Sequence, residues 1–203
     1  MTGWKGIAMG VLAEAGVETT ASGLVRVPFR DRDRRIVVHK VFGRSRSWYD
    51  PPGVDLIPFG IETLPVSAWI AERSALLVCE GESDALCARE HFTGWHAVAL
   101  PGAGVWRRYW RRHLEPFPVV YLLGDGDEPG QRMNRRVKAD VPWARPVRLP
   151  DGEDVRALLQ RDGRDGLLPY LEAADADTRL AAALHLATDL DDFEALLAGA
   201  EVF

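Results

Sequence analysis

From Ser74 onward the chain alternates short apolar runs with amphipathic stretches, and no other feature narrows its fold as much. Ala75-Leu76-Leu77-Val78-Cys79, His96-Ala97-Val98-Ala99-Leu100, Phe117-Pro118-Val119-Val120-Tyr121-Leu122-Leu123 and Arg145-Pro146-Val147-Arg148-Leu149 read as four strands. The stretches 83–91, 105–114, 131–139 and 154–160 read as the helices that follow them. Strands this apolar must be buried on both faces, and helices that return between them supply the cover. The expected class is therefore α/β with a mainly parallel sheet. Strand order does not follow from the pattern.

The residues up to about Gly60 read as α+β. A short helix over 5–15 ends at Gly16, and strands over 23–29 and 35–42 form a hairpin turning at Asp31-Arg32-Asp33-Arg34. Residues 47–53 are expected to be a loop, because Pro51 and Pro52 offer no backbone donors. The tail after Gly166 reads as helical. Leu180, Leu184 and Leu186, then Phe193, Leu196 and Leu197, recur at helical spacing, a stripe expected to pack on its own domain. The expected division is 1–70, 71–165 and 166–203.

Composition excludes several classes. A hydrophobic share of 47% with 27% charged residues belongs to a folded globular chain rather than a disordered one. No apolar run reaches the roughly 18–20 residues that span a bilayer, and Met1-Thr2-Gly3-Trp4-Lys5 lacks a signal-peptide layout. No membrane association and a cytoplasmic location are the expectations. Cys79 and Cys87 are the two cysteines; apolar neighbours make both read as buried thiols, and two cannot build a four-thiolate zinc site. The net charge of −5 hides a segregated distribution. Arginines gather at 30–35, 44–46, 107–112 and 132–136, while acids accumulate after Asp151. Each arginine cluster reads equally as solvated surface or as phosphate contacts.

The chemistry sits where the strands end. In a parallel sheet, functional groups gather beyond the carboxyl ends of the strands. Here those ends read Glu80-Gly81-Glu82-Ser83-Asp84, Gly124-Asp125-Gly126-Asp127-Glu128-Pro129-Gly130 and Pro150-Asp151-Gly152-Glu153-Asp154. Carboxylates brought together raise one another's pKa unless a cation neutralises them. Hard oxygen donors without His or Cys favour magnesium, manganese or calcium over zinc. Magnesium uses one or two carboxylates and leaves its other positions to water and phosphate, as phosphoryl or nucleotidyl transfer requires.

The stretch from about Ala75 to Leu159 resembles a Toprim domain, a Rossmann-like catalytic fold of bacterial-type primases, topoisomerases, OLD-family nucleases and recombination proteins. Val78-Cys79-Glu80-Gly81-Glu82-Ser83-Asp84-Ala85-Leu86 resembles its glutamate motif, and Leu122-Leu123-Gly124-Asp125-Gly126-Asp127-Glu128-Pro129-Gly130 its metal-binding Asp-x-Asp motif. Ala99-Leu100-Pro101-Gly102-Ala103-Gly104 matches the glycine-containing turn after the second strand. Leu149-Pro150-Asp151-Gly152-Glu153-Asp154-Val155 is similar to a later primase segment. Val27-Pro28-Phe29-Arg30-Asp31, Phe42-Gly43-Arg44 and Trp48-Tyr49-Asp50-Pro51-Pro52 resemble the basic subdomain that precedes Toprim in bacterial and phage primases. Arg34 stands where that subdomain usually has a turn glycine, and the lysine of its loop motif is missing.

The resemblance implies a magnesium- or manganese-dependent DNA primase core, a nucleotidyltransferase that joins nucleoside triphosphates into short primers on single-stranded DNA. Glu80, Asp125 and Asp127 would be catalytic and hold metal, with Asp84 and Asp154 completing the acidic site. Arg30, Lys40, Arg44 and Arg46 would bind template and nucleotide phosphates. A Toprim nuclease and a non-catalytic nucleic-acid-binding module are the alternatives. Bacterial-type primases normally carry a zinc-binding module and work with a replicative helicase, so both are expected as separate partners or as parts of a longer chain. Trp48, Tyr49, Trp106, Tyr109 and Trp110 read as core packing or as base-stacking surfaces. His39, His96 and His113 show no ligand spacing.

Overall fold

A computed structural model describes residues 1–66 and 74–186. Two sheets carry the architecture. The first is antiparallel, in the order β1 (Glu18–Thr19), β2 (Val25–Arg30), β3 (Ile36–Phe42), β4 (Ser47–Asp50). It is preceded by a 3-10 turn at Trp4–Gly6 and by α1 (Met9–Glu14). The helix expected over 5–15 is thus broken in two, because Lys5 and Gly6 both take positive φ (53° and 75°). The expected loop at 47–53 also needs correction, since Ser47–Asp50 pairs with β3 from Phe42↔Ser47 to His39↔Asp50. The prolines remove donors only from residue 51 on, and Trp48 and Tyr49 are strand formers with theirs intact. The β2–β3 hairpin turns where expected, with Arg34 in the left-handed region (φ 64°).

The second sheet is parallel throughout: β5 (Ala75–Cys79), β6 (His96–Ala99), β7 (Val119–Leu123) and β8 (Arg145–Pro146), in the order β6-β5-β7-β8. Its helices are α2 (Glu82–His91), α3 (Glu128–Asp140), α4 (Val155–Asp162) and α5 (Leu168–Leu186). The helix expected over 105–114 is instead a 3-10 segment, Arg108–His113, and the fourth strand pairs only through Pro146. Side chains of β5 alternate between two cores, as a pleated strand requires. Leu77 and Cys79 pack with Ala85, Leu86, Leu158 and Leu171, and with Val27, Phe29 and Val38 of the first sheet. Leu76 and Val78 pack with Val120, Leu122, Met133, Val137, Trp106 and Trp110 on the opposite face. Phe59 bridges to Ala99 through two backbone hydrogen bonds (2.8 and 3.1 Å), which covers the β6 edge. Both cysteines are buried free thiols. Among the described residues no helix is long and apolar enough to cross a membrane. The backbone of α5 includes Leu180, Leu184 and Leu186 of the apolar stripe, whereas Phe193, Leu196 and Leu197 lie outside the described residues.

Candidate active site

The strand order decides what meets at the acidic edge. The chain leaves β5 for β6 on one side and then crosses to β7 on the other, so β5 and β7 flank the point where winding reverses. Open α/β sheets bind ligands at that crevice. Glu80 follows β5 and Asp125 lies two residues beyond β7, and the register pairs Cys79 with Leu123. The backbone N–H of Asp125 donates to Glu80 Oε2 at 3.3 Å, joining the two strand ends directly.

The Asp125-Gly126-Asp127 loop is laced to the loop after β8. Gly126 N–H donates to the Glu153 carbonyl and Gly152 N–H to the Gly126 carbonyl, both at 2.8 Å. Asp127 caps α3 by accepting from Gly130 N–H (2.8 Å), and Asp154 caps α4 by accepting from Ala157 N–H (2.6 Å). Two of the predicted carboxylates therefore sit at helix N-termini, where backbone donors and the helix dipole favour negative charge. Asp84, buried in the first turn of α2, accepts from Arg156 N–H at 3.2 Å, and Arg156 also bonds Asp154 (2.9 Å).

Electrostatically the edge is strained by its own charges. Burial, then the carboxylates of Glu80, Asp84, Asp154 and Asp127, push Asp125 up to about 7. Burial and Asp154 raise Asp84 to about 6. Glu80 is raised by burial and by Asp127, against the Asp125 N–H and Lys40. Asp125 Oδ1 is buried with no hydrogen-bond partner. The five predicted acids are thus coupled, yet among the described residues no three His, Cys, Asp or Glu side chains close into a ready-made metal cage.

No protein-family model matches the chain. Over 93 residues it is 38% identical to the Gene 57 protein of Mycobacterium phage D29, a match covering 46% of this chain and 60% of that protein. The chain therefore spans less than two thirds of that relative's length. It superposes on the primase fragment of the bacteriophage T7 primase-helicase protein with a TM-score of 0.66 and 19% identity, covering 82% of this chain and 72% of that one. The DnaG primase catalytic domain bound to single-stranded DNA gives the same TM-score at 17% identity, covering 83% and 68%. The chain has the fold of these primase cores.

In this primase-type fold the first sheet delivers cations to the acidic edge. Lys40 on β3 donates to both oxygens of buried Glu82 (2.8 and 3.0 Å). Lys5, which the sequence did not single out, reaches 78 residues along the chain to Ser83 Oγ (3.0 Å). Both ammoniums lie over the Phe42 ring, at 5.8 Å for Lys5 and 5.4 Å for Lys40. Arg44 and Arg46 are exposed in the β3–β4 turn, with Arg46 over Trp48 (5.7 Å). Arg30 instead donates to the Ala15 carbonyl (2.8 Å) at the end of α1. Of the five aromatics, Trp106 and Trp110 are core, Tyr49 donates to the Pro101 carbonyl (2.5 Å), and Trp48 and Tyr109 are exposed.

Asn134 is a second residue the sequence reading passed over. Its Oδ1 accepts from Gly124 N–H (3.0 Å) and its Nδ2 donates to the Val147 carbonyl (3.2 Å), so it ties β7's end to the chain after β8. A polar residue on the buried face of α3, with Gly130, Met133 and Val137, was the available signal. Lys5 had none, because its partner is set by tertiary packing alone.

The Lys40–Glu82 pair yields a stability prediction. Lys40→Met leaves a buried carboxylate unpaired and is expected to cost about 3 kcal/mol. Adding Glu82→Gln should recover most of that loss in urea denaturation. Equal stability of Lys40→Met and wild type would show that Glu82 is solvated, not paired.

Proposed function

We propose that the chain is the catalytic core of a DNA primase, synthesising short primers on single-stranded DNA by magnesium- or manganese-dependent nucleotidyl transfer. The observation that carries this reading is the coupled acid cluster around the partnerless oxygen of Asp125, at the winding reversal of a primase-type sheet. The donors are all hard oxygens, and burial and mutual repulsion leave them short of positive charge, which suits a divalent ion that keeps water and phosphate among its ligands. Glu80, Asp125 and Asp127 would hold it, with Asp84 and Asp154 behind them. The bound ion supplies charge neutralisation for the triphosphate and lowers the pKa of the attacking hydroxyl.

The chain's own residues do the rest. Helix N-terminal amides orient Asp127 and Asp154, and the Asp125 N–H orients Glu80, so the edge is preorganised. Glu80, whose pKa burial raises, is placed to exchange a proton with the primer 3′-hydroxyl. Arg44 and Arg46, exposed in the β3–β4 turn, hold template and nucleotide phosphates, and Lys40, paired with Glu82, adds positive charge beside them. A zinc-binding module and a replicative helicase are the proposed partners.

The test is primer synthesis on single-stranded DNA with labelled nucleotides and magnesium. Wild type is expected to give short products and Asp125→Ala/Asp127→Ala none. If wild type makes none with helicase and a zinc module supplied in trans, yet nicks DNA without triphosphates, the same acids serve a nuclease.

A further inference from the structure

A basic recess opens beside the acidic edge, at the first turn of α3. Ala103, Gly104, Pro129, Arg132 and Arg136 enclose about 380 Å³ between α3 and the turn after β6. Pro129 lies in the first turn of α3, the turn that Asp127 caps, so the recess begins two residues from a proposed metal ligand. Arg136 Nη1 donates to the Gly104 carbonyl (2.7 Å) and fastens the turn to the helix.

The surrounding charge is not balanced. Arg132 and Arg135 share the single carboxylate of Glu128 (3.3 and 2.8 Å). Arg108 faces Asp140 at 3.6 Å, while Arg107 is exposed beside it. On α3, Arg132, Arg135 and Arg136 are set against Glu128 and the capping Asp127, in a chain whose net charge is −5. Exposed pairs of this kind add little to stability. The fold itself has small need of them.

Gly104 gives an independent observation. A Cβ there would meet nothing within 4 Å, and its backbone does not take a positive φ. Neither packing nor conformation calls for glycine. The turn therefore leaves the mouth of the recess open.

We propose that this recess seats a backbone phosphate of the single DNA strand bound at the acidic edge, with Arg132 and Arg136 as the guanidinium donors and Gly104 as the clearance. The inference rests on the nucleic-acid reading of that edge and adds a contact on the sheet's other flank. A strand gripped there and at Arg44 and Arg46 would cross the acids.

Anisotropy of a labelled single-stranded oligonucleotide, titrated at several salt concentrations, tests it. Arg132→Gln/Arg136→Gln is expected to weaken binding about tenfold at low salt and to flatten the log–log salt slope by about 1.4, two contacts at about 0.7 each. Gly104→Val should weaken binding while leaving the melting temperature unchanged. Arg161→Gln, exposed and paired with Glu153 on α4, should change affinity less than about twofold. Wild-type affinity in both recess variants overturns the inference, as does an equal loss in Arg161→Gln. If wild type makes primers while the recess variants bind normally, this contact alone fails. A wild type that binds no single-stranded DNA removes it together with the primase reading.

Discussion

Asp125→Asn is expected to make the metal-free protein more stable while abolishing primer synthesis. Asp125 is half-buried, and burial first, then the carboxylates of Glu80, Asp84, Asp154 and Asp127, hold its pKa at about 7, against about 3.9 in an unfolded chain. At pH 8 the folded state carries that charge at a cost; asparagine keeps the shape and removes it. Discounted for partial solvent exposure, the gain should be about 1–2 kcal/mol. The sign with pH follows from the raised value. Between about pH 7 and pH 4 the folded state binds a proton that the unfolded state does not, so wild-type stability should rise as pH falls through that window. Asp84, raised to about 6, adds the same sign lower down. In Asp125→Asn the upper part of the rise should disappear. Magnesium should stabilise wild type by about 1–3 kcal/mol at saturating concentration, and the variant much less. Turnover should fall about 1,000-fold or more. Melting curves from pH 4 to 8, with and without magnesium, check all of this. A destabilised variant would show that Asp125 is not repelled, and one stabilised by magnesium as strongly as wild type would show that it is not a ligand.

Gly126→Ala should do the opposite and damage fold and site together. Its new Cβ would be driven into the Pro150 carbonyl and against the Glu153 carbonyl. The obstruction is backbone, so no side chain can swing aside. Relief would break the hydrogen bonds Gly126 makes with Glu153 and Gly152. Two lost bonds and overpacking together are expected to cost about 3–5 kcal/mol, lowering the melting temperature by roughly 10 °C or more. Primer synthesis should fall with it, because Asp125 and Asp154 are set by the same lacing. Gly10→Ala on α1, where a Cβ meets nothing, should be neutral or slightly stabilising. Normal melting of Gly126→Ala would mean that the two loops are not pinned together.

Much of this was legible in one dimension. The apolar runs at 75–79 and 119–123 could only be strands buried on both faces, and the acidic turns after them, with the Asp-x-Asp spacing, marked the edge where chemistry would sit. Burial and local turn chemistry are written in residue order, so a reader of the sequence recovers them. The errors came where local rules met tertiary pairing. Ser47–Asp50 is a strand because β3 offers it a partner. The stretch after Val105 is a 3-10 segment fixed by Trp106 and Trp110 in the core. What the sequence alone determined is which residues carry the charge and that they lie at strand ends. Only the tertiary structure decided that β5 lies against β7, so that Glu80 meets Asp125. It alone decided that Gly126 is pressed against the chain after β8, and that Lys5 crosses to Ser83 while Arg30 turns to Ala15. Strand order and long-range pairing depend on which faces can be covered at once, a property of the whole packed chain that no short segment encodes.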